Sequence, residues 1–179
     1  MIGRGAGLAA VCAAVVVAGC GGSDEPVDNA VEAKEGTQVT VGDVRYRVAL
    51  FRQLNPRIEP GDALYTGEPP EAGRGLYVLF LRACNDGDQP VEASREVVVE
   101  DAFGQVFEPR PEDVAEPFRY APSGAVAPHT CAPVLGSVSR LGFEGGALVF
   151  RIPFDSARER PLVLEVRDGG DRGRLQLDL

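Results

Sequence analysis

The sequence predicts an all-β protein whose main domain is a two-sheet β-sandwich. Three observations predict it. From residue 37 onward, apolar residues fall in short alternating or continuous runs of strand length. The runs are separated by Gly, Pro, Asn and Asp, which supply turn geometry. No amphipathic helical stretch of useful length interrupts the series, and a helical turn over residues 110–116 is the most that is expected, with Pro111 at its first position and Glu112 and Asp113 in its first turn.

The chain begins differently. Arg4 is followed by an uninterrupted small and apolar run over residues 8–18, the basic head and apolar core of an export signal. That run is far shorter than the ~20 residues a membrane-spanning helix needs. Val17-Ala18-Gly19-Cys20 closes it and resembles the lipobox of bacterial lipoproteins. This resemblance implies cleavage before Cys20, with the thiol carrying lipid such as palmitate. One acyl chain binds a bilayer only marginally, and the two or three chains the resemblance implies would anchor it stably. Residues 1–19 are therefore read as a lipoprotein signal peptide and 20–36 as a lipidated tether. The tether is acidic and without sustained period, so it has too little apolar surface to offset the entropy of ordering.

Cysteine arithmetic follows. Cys12 lies in the signal and Cys20 takes the lipid, which leaves Cys84 and Cys131 as a pair. Outside the cytoplasm such a pair is expected to form a disulfide. The loop it closes is long, worth roughly 4 kcal/mol on the chain-entropy model.

Residues 37–179 form the expected domain. Val39 and Val41 alternate with polar neighbours, and Val44, Tyr46, Val48 and Leu50 are expected to share one face. Residues 76–84 are apolar on both faces, as in a central strand, and end in the turn sequence Asn85-Asp86-Gly87-Asp88. Further strands are expected over 97–101, 105–108, 148–152, 162–166 and 174–179. Gly104 sits at the tight position of one hairpin, and Asp168-Gly-Gly-Asp171 makes another turn.

With those runs in order, the domain resembles the immunoglobulin-like domain of unknown function found on many bacterial surface lipoproteins, related to the mycobacterial immunoprotective extracellular protein. The carrying pieces are Tyr46-Arg-Val, Leu81-Arg-Ala-Cys-Asn-Asp-Gly-Asp-Gln-Pro-Val, Glu100-Asp-Ala-Phe-Gly-Gln-Val-Phe-Glu-Pro, Leu148-Val-Phe-Arg-Ile-Pro and Pro161-Leu-Val-Leu-Glu-Val. The resemblance implies an immunoglobulin-like sandwich on the outer face of the cell membrane and implies no activity, because fold does not fix function.

Charge narrows the partners. The formal net charge is −9, and cleavage before Cys20 removes only Arg4 among the charged residues, taking it to −10. A surface of that sign repels phosphate backbones, so nucleic acid is not an expected partner. The expected partners are the membrane, through Cys20, and an envelope protein or small ligand.

No catalytic constellation stands out. His129 is the only histidine, so any triad would have to use it with Ser123, Ser137 or Ser139, and there is no Gly-x-Ser-x-Gly. A blue-copper centre needs two histidines and a cysteine. His129 and Cys131 could contribute two metal ligands only if Cys131 were not in a disulfide. The acidic turns at 85–88 and 168–171 lack calcium-loop spacing. No cofactor, catalytic residue or metal is assigned. The expected role is a non-catalytic binding or protein-interaction module. Its recognition loops, 55–74 with Tyr65 and 109–133 with Phe118 and Tyr120, are expected at one end of the sandwich. The alternative for those aromatics is that they plug the core; the alternative roles are a small envelope hydrolase, a metal-handling protein or a structural lipoprotein.

Overall fold

The computed structural model describes residues 30–34, 36, 38–120, 125–133 and 144–179. The expected signal peptide, Cys20 and the serines Ser123, Ser137 and Ser139 lie outside these residues.

The strands are β1 (Ala30–Lys34), β2 (Gln38–Val41), β3 (Val44–Leu54), β4 (Arg74–Asn85), β5 (Val91–Glu92), β6 (Glu96–Glu100), β7 (Val106–Phe107), β8 (Ala125–Val126), β9 (Thr130–Ala132), β10 (Gly146–Pro153), β11 (Leu162–Asp168) and β12 (Asp171–Leu177). Two short helices, α1 (Gly61–Leu64) and α2 (Phe154–Arg158), accompany them. One sheet runs β1-β12-β11-β6-β7 and the other β10-β4-β3-β2, with β9 also pairing β4; β5 and β8 form a separate ribbon. This is the expected β-sandwich.

Its inner faces follow period-two alternation. Leu162, Leu164 and Val166 of β11 and Leu175 and Leu177 of β12 meet Tyr46 and Val48 of β3, Leu79 and Leu81 of β4 and Phe150 of β10 in one buried cluster. The outer face of the first sheet is polar. There Glu165, only 2% exposed, lies 2.5 Å from Arg167 Nε and 3.8 Å from Arg174 Nη1.

The second sheet is apolar on both faces over the middle of β4 and β10. Leu76, Val78 and Phe80 of β4 and Ala147 and Val149 of β10 point away from the sandwich, into a second cluster completed by Leu54, Leu64, Tyr65 and Val114. The cover comes from the two long irregular segments, which lie across this face rather than at one end of the sandwich. Leaving a sheet face of this kind in water would cost about 25 cal/mol for each Å² of apolar surface, which is why the segments are ordered.

Two further differences from the sequence reading have local causes. The register of β3 on β4 passes from Val48 opposite Leu81 to Leu50 opposite Phe80, so Ala49 is a bulge. A bulged residue shifts the alternation by one. Leu50 therefore packs against the second cluster, and Phe51 enters the sandwich to stack on Tyr77 with ring centroids 6.0 Å apart. Ala30–Lys34, expected within the tether, is a strand, with Ala30 opposite Arg172 and Lys34 opposite Gln176 in parallel register with β12. Strand addition at a sheet edge is made by backbone groups, which a side-chain pattern does not report.

The disulfide is present: Cys84 of β4 and Cys131 of β9 are direct cross-strand partners with Cα atoms 4.0 Å apart. Two turns form as the sequence predicts. Gly104 has φ +78° and donates its N–H to the Asp101 carbonyl, and Gly169 has φ +58° between β11 and β12. Residues 111–113 make a 3₁₀ turn with Pro111 at its start, and residues 116–118 make another.

Because Phe80 is 1% exposed and joins the cover to the sheet, Phe80→Ala is expected to cost about 3–5 kcal/mol. Phe103→Ala, at a side chain 74% exposed, should stay within about 0.5 kcal/mol of the parent. Urea unfolding followed by circular dichroism measures both; equal losses would show that the second cluster is not a core.

Candidate functional site

A buried polar network is built where the cover meets the sheet edge. Arg151, on β10, follows Ala147 and Val149 on the covered face and carries its guanidinium under the cover. Its Nε and Nη2 donate to Asp113 Oδ2 at 3.2 and 2.9 Å. Nη2 also donates to the Tyr65 hydroxyl oxygen and to the Glu68 carbonyl, each at 3.0 Å, and Nη1 lies 3.6 Å from Glu71 Oε1. The Tyr65 hydroxyl donates to the Glu68 carbonyl at 2.5 Å. The side chains of Arg151 and Asp113 are 9% and 8% exposed.

Local sequence explains how each group arrives. Asp113 ends the Pro111–Asp113 3₁₀ turn, whose Arg110 donates its N–H to the Val149 carbonyl and so ties the turn to β10. Tyr65 caps α1, and cross-links between the two cover segments run from the Thr66 N–H to the Asp113 carbonyl and from the Ala115 N–H to the Leu64 carbonyl. Burial lowers the basicity of Arg151, but the hydrogen bond and charge of Asp113 outweigh it and hold the guanidinium above its ordinary value. Burial, reinforced by the charge of Asp113, pushes the Tyr65 hydroxyl up.

Outside this network lies an open cleft of about 960 Å³, lined by residues 105–110, Glu71, Arg74, Glu112 and Arg151. Glu71, at its mouth, is held below the usual carboxylate range by a hydrogen bond from its own backbone and by the charges of Arg151, Arg110 and Arg74. Arg74 donates from Nη1 to the Arg151 carbonyl at 3.0 Å and is shared with a smaller cleft of about 410 Å³ beside Leu54, Pro70 and Phe154. The larger cleft is walled by guanidinium and carboxylate groups and by one strand edge, an arrangement suited to holding a polar or peptide ligand. Among the described residues its lining contains no Ser, Cys, His or Lys.

The aromatics expected to recognise a ligand are inside. Tyr65 is 8% and Tyr120 5% exposed, and Phe118 is half-buried against the second cluster. Burial places them against the interior, the alternative given for these aromatics. The reason is satisfaction of their polar ends: Tyr65 sits on Asp113 and Arg151, and the Tyr120 hydroxyl donates to the Ser94 carbonyl at 3.2 Å. The Tyr46 hydroxyl accepts the Ser94 N–H at 2.7 Å, so Tyr46 of β3 and Tyr120, after the second 3₁₀ turn, clamp one residue. Burial raises the hydroxyl pKa of both Tyr46 and Tyr120. Gly146 permits the approach of Tyr120, since a Cβ there would lie 2.6 Å from Tyr120 Cα.

His129 is exposed, at φ +55°, with Nε2 3.0 Å from Asp88 Oδ1. Cys131 is bonded to Cys84 and offers no thiolate beside it. Among the described residues no group of three or more His, Cys, Asp or Glu is placed to hold a metal. Asn85 and Asp88 serve the turn and its contacts: Asn85 Nδ2 donates to the carbonyls of Gln89 and Val126, and its Oδ1 accepts the Gly87 N–H.

No protein-family model matches this chain, and no curated protein does. Solved structures do. The yjhA protein of Bacillus subtilis is similar at 12% identity and TM-score 0.52 over 82% of this chain and 99% of its own. A conserved hypothetical protein from Bacillus anthracis is similar at 9% identity and TM-score 0.50 over 82% and 95%. An uncharacterized β-sandwich protein from Clostridium difficile 630 aligns at 13% identity and TM-score 0.46 over 84% and 96%. The two Bacillus structures share the fold with this chain, and at such identities the likeness extends to fold alone.

Sequence reasoning missed Asp113 and Arg151 as partners because they are 38 residues apart and neither belongs to a motif. The available signal was Arg151 itself, a charge inside an otherwise apolar central run. Arg151→Met leaves a buried carboxylate without its partner and should cost about 3–5 kcal/mol. Adding Asp113→Leu should recover part of that loss in a double-mutant cycle; additive losses would mean that the two side chains are not coupled.

Asp101 gives a pH dependence. Burial opposes its ionisation, but hydrogen bonding by Ser156 and by the amides of Gln105 and Phe103 outweighs it and holds the carboxyl below its ordinary value. A depressed carboxylate contributes stability above the unfolded pKa of about 3.9 and loses it as pH falls through the lower folded value. Asp101→Asn should flatten the thermal-stability profile in that acid range. An unchanged profile would remove Asp101 from it.

Proposed function

We propose that this protein is an extracytoplasmic lipoprotein, anchored through Cys20 on the outer face of the cell membrane, whose sandwich domain is a non-catalytic binding module. The carrying observation is the Cys84–Cys131 disulfide. It consumes the two cysteines of the domain, and disulfides persist where the environment is oxidising. The one cysteine left beyond the signal's apolar core is Cys20, at the site that resembles a lipobox. The resemblance of the domain to the immunoglobulin-like domain of bacterial surface lipoproteins supports the same reading at a finer level than the fold comparisons. For the module itself, support comes from the mixed guanidinium and carboxylate lining of the large cleft, whose rigid wall is set by Arg151 and Asp113.

The test is fractionation of cells expressing the parent chain and Cys20→Ala, with labelled palmitate. The parent should sediment with membranes and carry label, and the variant should carry none and leave the membrane fraction. A parent chain that stays soluble and unlabelled overturns the anchor.

A further inference from the structure

The strand registers give the domain two unlike ends. The chain enters at Ala30, opposite Arg172 near the start of β12. At that end lie the Asp168–Asp171 turn, the Gly42-Asp43 turn and the start of β3, as the approach of Gly42 to Asp168 shows. The other end collects Leu54 and Leu76, Pro153 and Arg74, Leu162 and Leu177, and Glu100 and Val106. Among the described residues five large apolar side chains are exposed: Ile58, Phe103, Val106, Phe154 and Leu179. All five follow or adjoin strand ends at this far end, as do both clefts.

β7 is the last strand of its sheet. The Asp101 N–H bonds the Gln105 carbonyl, and Val99 pairs with Phe107. In an antiparallel ladder the residues between such pairs turn their backbone groups outward. Val106 therefore presents its N–H and C=O groups away from β6, along the wall of the large cleft that Glu108 also lines, with its own side chain 46% exposed and Phe103 74% exposed. The rest of the cleft is fixed by the buried Arg151–Asp113 pair, so the edge faces a preformed surface. The lining sets Glu71, Glu108 and Glu112 against Arg74, Arg110 and Arg151, and Arg151 binds both Asp113 and Glu71; with Asp113 counted, four carboxylates stand against three guanidiniums, and the whole chain carries −9.

We infer that the free edge of β7 is a docking site for an extended, basic segment of another polypeptide, which adds as a strand against Val106. Its apolar side chains pack on Phe103 and Val106, and its cations meet Glu108 and Glu112. Backbone pairing supplies affinity and alternate side chains supply selectivity. This deepens the binding-module reading, on which it rests: the chain enters the domain at Ala30, at the end away from this edge.

The probe is the peptide acetyl-Lys-Val-Lys-Val-Lys-Val-amide, added to the full chain in detergent and followed by hydrogen exchange with mass spectrometry. Protection should appear over residues 103–110. It should weaken by about tenfold in affinity for Val106→Pro, which removes an outward donor and no bond to β6, and for a peptide N-methylated along one edge. Phe103→Ser, outside every core contact, should weaken it as well, and a Glu-Val peptide should not protect. Absence of protection in 103–110, or protection indifferent to N-methylation and to Val106→Pro, overturns the site. A concentration-dependent dimer abolished by Val106→Pro would assign the edge to a second copy and overturn the basic partner. None of these outcomes depends on lipid, so the Cys20→Ala fractionation fails or succeeds separately.

Discussion

The constraint on which the rest depends is that β4 and β10 of the second sheet are apolar on both faces, over residues 76–80 and 147–149. A sheet with one wet face can end at its strands, whereas β4 and β10 place Val78, Phe80 and Val149 where only a further layer can remove them from water. The two long segments are that layer. Their Pro and Gly content, which in isolation suggests a recognition loop, instead lets the chain turn α1 and two 3₁₀ turns across a sheet face in few residues.

Covering a sheet with irregular chain leaves backbone and side-chain polar groups to satisfy. The Arg151–Asp113 pair, with the Tyr65 hydroxyl and the Glu68 carbonyl, does this for both segments at once. A buried ion pair adds little net stability over a well-packed apolar substitute. Its contribution here is placement: it joins β10, the 55–74 segment and the 109–118 segment at one point, and thereby shapes the cleft outside it. On the other side of the sandwich the tyrosines Tyr46 and Tyr120 hold Ser94 in the same manner.

The sheet edges are treated unequally. β10 is lined by Arg110 and Tyr120, which bond the Val149 and Ala147 carbonyls, and β12 is covered by β1. β7 has only two paired residues and Pro109 two positions on, both of which discourage unplanned pairing while leaving outward groups at Val106. The edge at β7 is thus left open beside the cleft that Arg151 lines.

Much of the fold was legible in the sequence. Local patterns determined the positions of the main strands, the two-sided burial of 76–84, the hairpin at Gly104, the turn at Gly169 and, by elimination, the pairing of Cys84 with Cys131. Each depends on period-two alternation, on a residue able to adopt positive φ, or on counting. The candidate site was not legible. The bulge at Ala49 reversed the face of Leu50, β1 joined β12 through backbone groups, and burial of Tyr65 and Tyr120 turned expected contacts into core. Arg151 found Asp113 across the fold. All four were decided by which surfaces meet after the sheets stack, because contact between residues distant in sequence carries no local periodicity.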